Sequence, residues 1–184
     1  MLVGVNDCLA AERHQGKSWA ATKLSVPRVG APGFKRLKSA ATGIDFLNLL
    51  GNERSIRNRN LLSGSGVSVG DIDNDGWCDL YFCGLDNENK LYRNLGGWKF
   101  VDITNEAKVA CAGQDSTAAA FADVDGDGSL DLYAVQNFSN PQFETPPFRG
   151  GLSVLLKGDG KGGFSELPHT ESGLVVATDG RGLA

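Results

Sequence analysis

Two stretches of this chain are spelled alike, and between them they leave little freedom in how it folds. Asp71-Ile72-Asp73-Asn74-Asp75-Gly76-Trp77-Cys78-Asp79-Leu80 is echoed 52 residues later by Asp123-Val124-Asp125-Gly126-Asp127-Gly128-Ser129-Leu130-Asp131-Leu132. Both read D-x-D-x-D-G-x-x-D-L. Four carboxylates in nine residues repel one another unless a cation lies between them. Acidic side chains at positions 1, 3 and 5, with Gly at 6 to turn the chain sharply, make an oxygen cage for a hard cation such as Ca²⁺. An EF-hand would place a bidentate Glu at position 12, where this chain has Phe82 and Ala134. The fourth carboxylate comes at position 9 instead, as Asp79 and Asp131. The residues after each loop, Leu80-Tyr81-Phe82-Cys83 and Leu132-Tyr133-Ala134-Val135, are strand-like and lack helical spacing. A single such stretch reads equally well as a solvated Asp/Gly turn. Two in one register favour metal.

The spacing of other residues extends the repeat. Phe34/Leu37, Phe100/Ile103 and Phe164/Leu167 share a separation of three, and the offset from Phe100 to Phe164 is 64 residues. The excess over 52 fits a Pro-bearing insertion, 137–150, in the second unit. Each unit parses as four short strands. The first has 65–70 entering the loop and 79–84 leaving it, then 90–93, a Gly96-Gly97 turn and 98–103. The second has 117–122, 130–135, 152–157, a 158–163 turn and 164–167. Four strands per roughly fifty residues, repeated, predict an all-β fold, a partial β-propeller of four-stranded antiparallel blades. The expected organisation is an irregular lead-in over 1–32, the end of a preceding blade over 33–64, a blade over 65–104 with its loop at 71–79, and a blade over 105–168 with its loop at 123–131. Residues 169–184 would begin a further blade. On the 64-residue offset the next loop would start near position 187, so the chain reads as a fragment of a longer propeller.

Charge divides along the chain. Residues 1–60 hold ten Lys/Arg against four Asp/Glu, a net of +6, and residues 61–184 hold eight against eighteen, a net of −10. Eight of those acids lie in the two loops, so two Ca²⁺ ions would cancel four of the ten excess charges. An acidic C-terminal part argues against a nucleic-acid partner. The richest basic run, Lys35-Arg36-Leu37-Lys38, reads as a solvated face. No run approaches the ~20 apolar residues of a membrane-spanning helix. The first residues also lack the basic and apolar regions of a secretory signal.

Several other motifs carry less. Gly158-x-Gly160-x-x-Gly163 matches the dinucleotide fingerprint, but the next residues read as a short strand stopped by Pro168, where that site needs a helix. His14 and His169 sit among loop-like residues, and no G-x-S-x-G elbow supports a Ser-His-Asp triad. Asn137-Phe138-Ser139 is a formal glycosylation sequon. Trp77, Trp98 and Tyr92 could stack on sugar; core and sheet-to-sheet packing is the ordinary assignment, with Trp98 and Phe100 expected on one strand face. Cys8, Cys78, Cys83 and Cys111 show no zinc spacing. A Cys83–Cys111 bridge is compatible with an oxidising compartment, and buried thiols are the competing account.

The residues quoted so far resemble the FG-GAP/VCBS-type repeats of calcium-binding β-propellers such as integrin α-subunit heads. The runs Gly66-Val67-Ser68-Val69-Gly70-Asp71, Leu80-Tyr81-Phe82-Cys83-Gly84, Leu91-Tyr92-Arg93-Asn94 and Asp115-Ser116-Thr117, with Phe121-Ala122-Asp123, look closest to the cartilage acidic protein-like family, whose members often carry a C-terminal ASPIC/UnbV domain. The resemblance covers about residues 33–184. The eponymous Phe-Gly is degenerate here, as Val69-Gly70 and Phe121-Ala122. The resemblance implies two structural Ca²⁺ ions, one held by Asp71, Asp73, Asp75, Asp79 and the Trp77 carbonyl, the other by Asp123, Asp125, Asp127, Asp131 and the Ser129 carbonyl. It also implies an extracellular, periplasmic or cell-surface protein that binds protein or carbohydrate without catalysis. The alternative function is an accessory repeat region of an exported enzyme, such as a polysaccharide-acting hydrolase. That would require a carboxylate pair on the propeller face, and the residues single none out.

Overall fold

A computed structural model describes residues 13–15, 20–22, 34–57, 61–62, 64–136 and 152–176. The chain divides into two compact units, Met1–Arg36 and Leu37–Ala184. In the first, β1 (Arg13–Gln15) and β2 (Ala20–Thr22) form an antiparallel hairpin with His14 opposite Ala21. This corrects the irregular lead-in expected over 1–32. Main-chain hydrogen bonds make the pairing, and neither three-residue strand carries an apolar alternation that would announce it.

The second unit opens with two short helices, α1 (Ser39–Thr42) and α2 (Asn52–Arg57). The strand expected around Phe34 and Leu37 does not form, and the described residues between 34 and 64 contain no strand at all. Ser39-Ala40-Ala41 favours a helical turn, and Gly43, at φ +85°, closes it with its N–H on the Ser39 carbonyl. Beyond Gly43 the chain runs as an irregular strap laid on the neighbouring sheet. Asp86 N–H donates to the Leu49 carbonyl (3.0 Å), Leu49 N–H to Asn87 Oδ1 (2.8 Å) and Tyr92 Oη to Asp45 (2.6 Å). Phe46 stacks on Phe82 with ring centroids 5.1 Å apart. Side-chain contacts and an isolated main-chain bond, not a β-ladder, hold this segment.

Two four-stranded antiparallel sheets come next in the chain. The first has the order β3 (Val67–Gly70), β4 (Asp79–Phe82), β5 (Lys90–Asn94), β6 (Phe100–Asp102). After a helical turn, α3 (Thr104–Ala107), come β7 (Ser116–Ala122), β8 (Asp131–Gln136), β9 (Val154–Gly158) and β10 (Phe164–Glu166), also paired in sequence order. The chain then forms α4 (His169–Ser172). All eight expected strands are present, with ends displaced by up to two residues. No helix comes directly after Asp79 or Asp131. The expected insertion, the sequon at Asn137 and residues 177–184 lie outside the described residues.

Strand periodicity sends successive side chains to opposite faces. Tyr81 enters a core shared by both sheets, with Ile72, Leu91, Val109, Leu132, Ala134, Leu156 and Phe164, while Phe82 turns to the strap. Phe121 bridges the sheets, 6.3 Å from Tyr81 and 6.3 Å from Phe164 by ring centroids. The start of β3 is tied to β7 by the N–H of Gly66, just before the strand, on the Thr117 carbonyl (2.9 Å) and by Phe121 N–H on Ser68 Oγ (3.0 Å). A buried polar knot reinforces the seam. Asn89 donates to Tyr81 Oη (2.7 Å) and Ser116 Oγ (2.8 Å) and accepts from Gly84 N–H (2.7 Å).

Two packing expectations need correction. Trp98 does not share a strand face with Phe100: it sits in the Gly96-Gly97-Trp98 turn at φ +62° and is exposed, while Phe100 is buried. Trp77 is exposed as well, its indole lying over Gly96, so neither tryptophan is core. Both belong to turns whose backbone direction is set by the hairpins, which leaves their rings outside. Cys83 and Cys111 are free thiols, as is Cys78. Cys83 packs in the core, where desolvation and the nearby Cys111 push its thiol up to about 12.

Candidate metal centres

Each acidic stretch is the connection of a hairpin whose last ladder pair is Gly70 with Asp79, or Ala122 with Asp131. The two connections share a common set of bonds, to which the second adds Gly126 N–H on Asp123 Oδ1 (2.7 Å) and a second acceptor, Asp125 Oδ1, for Asp127 N–H (3.1 Å). The first Asp takes the N–H groups of positions 5 and 6: Asp75 (3.1 Å) and Gly76 (2.9 Å) on Asp71, Asp127 (3.1 Å) and Gly128 (3.0 Å) on Asp123. The position-5 Asp takes the N–H of position 7, Trp77 or Ser129, each at 2.8 Å. Positions 4 and 6 are left-handed in both loops, as Asn74 and Gly76 (φ 58° and 91°) and Gly126 and Gly128 (77° and 86°). Asn and Gly are the residues that tolerate this conformation.

The position-9 carboxylates do a different job. Asp79 is fully buried and accepts N–H bonds from Ile72 (2.9 Å) and from Asn94 on β5 (2.7 Å). Asp131 repeats this with Val124 (3.0 Å) and with Gly158 on β9 (2.9 Å). Each therefore pins the start of its loop to the third strand of its sheet. The Asp79 carboxyl is raised above its ordinary value by desolvation, against the two N–H bonds, with further push from the charges of Asp73 and Asp75.

The expected ligands do not all converge. A carboxylate oxygen from each of Asp71, Asp73 and Asp79 lies within 4.8 Å of the others, and the same holds for Asp123, Asp125 and Asp127. Asp75 stands outside the first group and Asp131 outside the second. Asp71 and Asp79 are thus close enough to share an ion. Trp77 and Ser129 sit at matching places in the two loops, each held by its N–H.

The loops differ in what faces them. In the first, Asp73 Oδ1 is buried and has no hydrogen-bond partner among the described residues. A bare, buried carboxylate oxygen beside two further carboxylates is costly unless a cation completes it. Together with an all-oxygen donor set, that suits a hard divalent ion. In the second loop Lys157, from β9, places its ammonium on Asp125 and 3.3 Å from Asp127. The Asp127 carboxyl is held low, first by the Ser129 N–H and then by Lys157, and the Lys157 ammonium is held high, first by Asp125 and then by Asp127. Lys157 was not legible as part of the site, because it reaches the loop only through strand pairing. The 64-residue offset does align it with Arg93, which makes no ion pair among the described residues.

The remaining motifs resolve simply. The Gly158–Gly163 run is the β9–β10 turn: Asp159 Oδ1 accepts from Lys161 (2.8 Å) and Gly163 (2.9 Å), and the chain continues as a strand. His169 Nδ1 lies 2.9 Å from the Leu174 carbonyl, a local contact between α4 and the residues just after it. No described helix is long and apolar enough to cross a membrane.

Residues 71–134 match the family model of the FG-GAP-like repeat. The match opens on Asp71 of the first loop and ends on Ala134 in β8, so it takes in both loops and the seam between the sheets. This stretch, about a third of the chain, is similar to an FG-GAP-like repeat. No curated protein matches the chain.

Proposed function

We propose that the chain is a non-catalytic, calcium-binding β-propeller segment of the cartilage acidic protein-like kind, working outside the cell or in the cell envelope as a surface for protein or carbohydrate partners. The carrying observation is Asp73 Oδ1, buried without a hydrogen-bond partner among the described residues where Asp71 and Asp79 converge. Asp71, Asp73 and Asp79 would hold one ion, with Asp75 and the Trp77 carbonyl adjoining. Asp123, Asp125 and Asp127 would hold a second, with Asp131 and the Ser129 carbonyl adjoining. The role of the ion is structural: it neutralises a self-repelling turn that anchors two strands of a sheet, so metal binding is linked to folding. Calcium suits flexible oxygen-only cages of several carboxylates, whereas magnesium holds to a smaller, stricter octahedron.

Calcium titration by calorimetry, paired with melting curves in calcium and in chelator, tests this reading. Binding of calcium in preference to magnesium, with a higher midpoint in calcium, is the expected result. Asp73→Ala should remove much of that gain. Equal midpoints in calcium and chelator, with no heat of binding, would overturn it.

A further inference from the structure

The two loops share their main turn and differ in which carboxylates converge and in one residue from outside the loop. Lys157 spans the second loop's acids, reaching Asp125 and Asp127, while its repeat counterpart Arg93 makes no ion pair among the described residues and leaves the first loop's acids to themselves. We infer that Lys157 is a tethered cation that competes with the metal for the second loop and makes it the weaker of the two sites. The inference rests on the calcium reading above and specifies its regulation.

The argument is electrostatic. An ammonium on two carboxylates supplies part of the charge that Ca²⁺ would supply, so the metal-free second loop is already partly neutralised. To bind there, Ca²⁺ must open both contacts and expel a like charge. The first loop sets no such condition, and its buried Asp73 oxygen has no competing partner among the described residues. The side chain has somewhere to go. Lys157 lines an open groove of about 550 Å³ with Glu106, Lys108, Asp127, Ser129 and Asp159, and Glu106 and Asp159 can receive the displaced ammonium. Opening two half-exposed ion pairs and moving the charge away sets an affinity ratio on the order of tenfold. The second loop would then fill only at calcium levels that already saturate the first.

Calcium titration of the full chain, calorimetrically and by melting temperature, provides the test on five proteins: the parent, Lys157→Met, Lys157→Arg, Lys157→Met combined with Asp73→Ala, and Lys157→Met combined with Asp123→Ala. The parent should show two sites separated by on the order of tenfold. Lys157→Met, which keeps the aliphatic stem, should bring the weak site close to the strong one, and Lys157→Arg should leave it weak. Combining Lys157→Met with Asp73→Ala should preserve the tightening, and combining it with Asp123→Ala should abolish it. In chelator Lys157→Met should melt below the parent, and calcium should erase the difference. Two sites with unchanged affinities in Lys157→Met overturn the role of Lys157 while leaving the calcium reading standing. Absence of calcium binding in the parent and in Lys157→Met overturns both.

Discussion

Replacing Asp79 by Asn separates the two duties that the first loop asks of one carboxylate. Asp79 is fully buried, and its two oxygens accept Ile72 N–H at 2.9 Å and Asn94 N–H at 2.7 Å. Asn matches the shape but offers one acceptor, so its NH₂ must face one of these N–H groups. A buried donor left without an acceptor costs about 1–3 kcal/mol. Part of that is returned, because the substitution ends the desolvation of a carboxylate and its repulsion by Asp73 and Asp75, the influences that raise the Asp79 carboxyl. The net loss should be about 1–2 kcal/mol, or a melting-temperature drop of roughly 2–8 °C for a domain of this size. Asp131→Asn breaks the same pair of bonds, to Val124 and Gly158, and should lose a similar amount in chelator. Calcium should then divide them. Asp79 stands within the first carboxylate group and Asp131 outside the second, so Asp79→Asn should also forfeit calcium stabilisation that Asp131→Asn keeps. Urea unfolding followed by circular dichroism, in calcium and in chelator, measures all four values. Asp79→Asn with parental stability in chelator would refute the view that this carboxylate pins the loop to β5.

Three other outcomes are expected of the same structure. Asn89→Ala removes three buried hydrogen bonds and strands the Gly84 N–H, and should cost about 3 kcal/mol in chemical unfolding, whether or not calcium is present. Asp102 is desolvated, which raises its carboxyl, but the Thr104 hydroxyl and Lys90 outweigh this and hold it below the ordinary 3.8. Its stabilisation is therefore present above the unfolded value and lost as pH falls through the lower folded one. Asp102→Asn should accordingly flatten the stability profile as pH falls below the ordinary carboxylate range, measured by unfolding at successively lower pH. Among the described cysteines, exposed Cys78 should react with iodoacetamide at pH 8, whereas Cys83, buried with its thiol pushed up to about 12, should be labelled only on unfolding, as read by peptide mass mapping.

The loops and the strands beside them were legible because their causes are local. Asp71 closes its turn on residues four and five further on, and Asp79 returns seven to Ile72, so nine residues carry most of the geometry. The alternation of Tyr81 and Phe82, and the Gly and Asn at left-handed positions, are likewise written into neighbouring letters. The tertiary structure decided whatever depends on distant partners. Residues 37–57 form helices and a strap because Asp45, Leu49 and Phe46 find Tyr92, Asn87 and Phe82, a choice no local period records. Trp98 faces solvent because a turn reverses the chain beneath it. Lys157 reaches Asp125 across 32 residues, carried there by the pairing of β9 with β8. The acidic turn is a local property of the chain, and the ammonium seated on it comes only with the folded sheet.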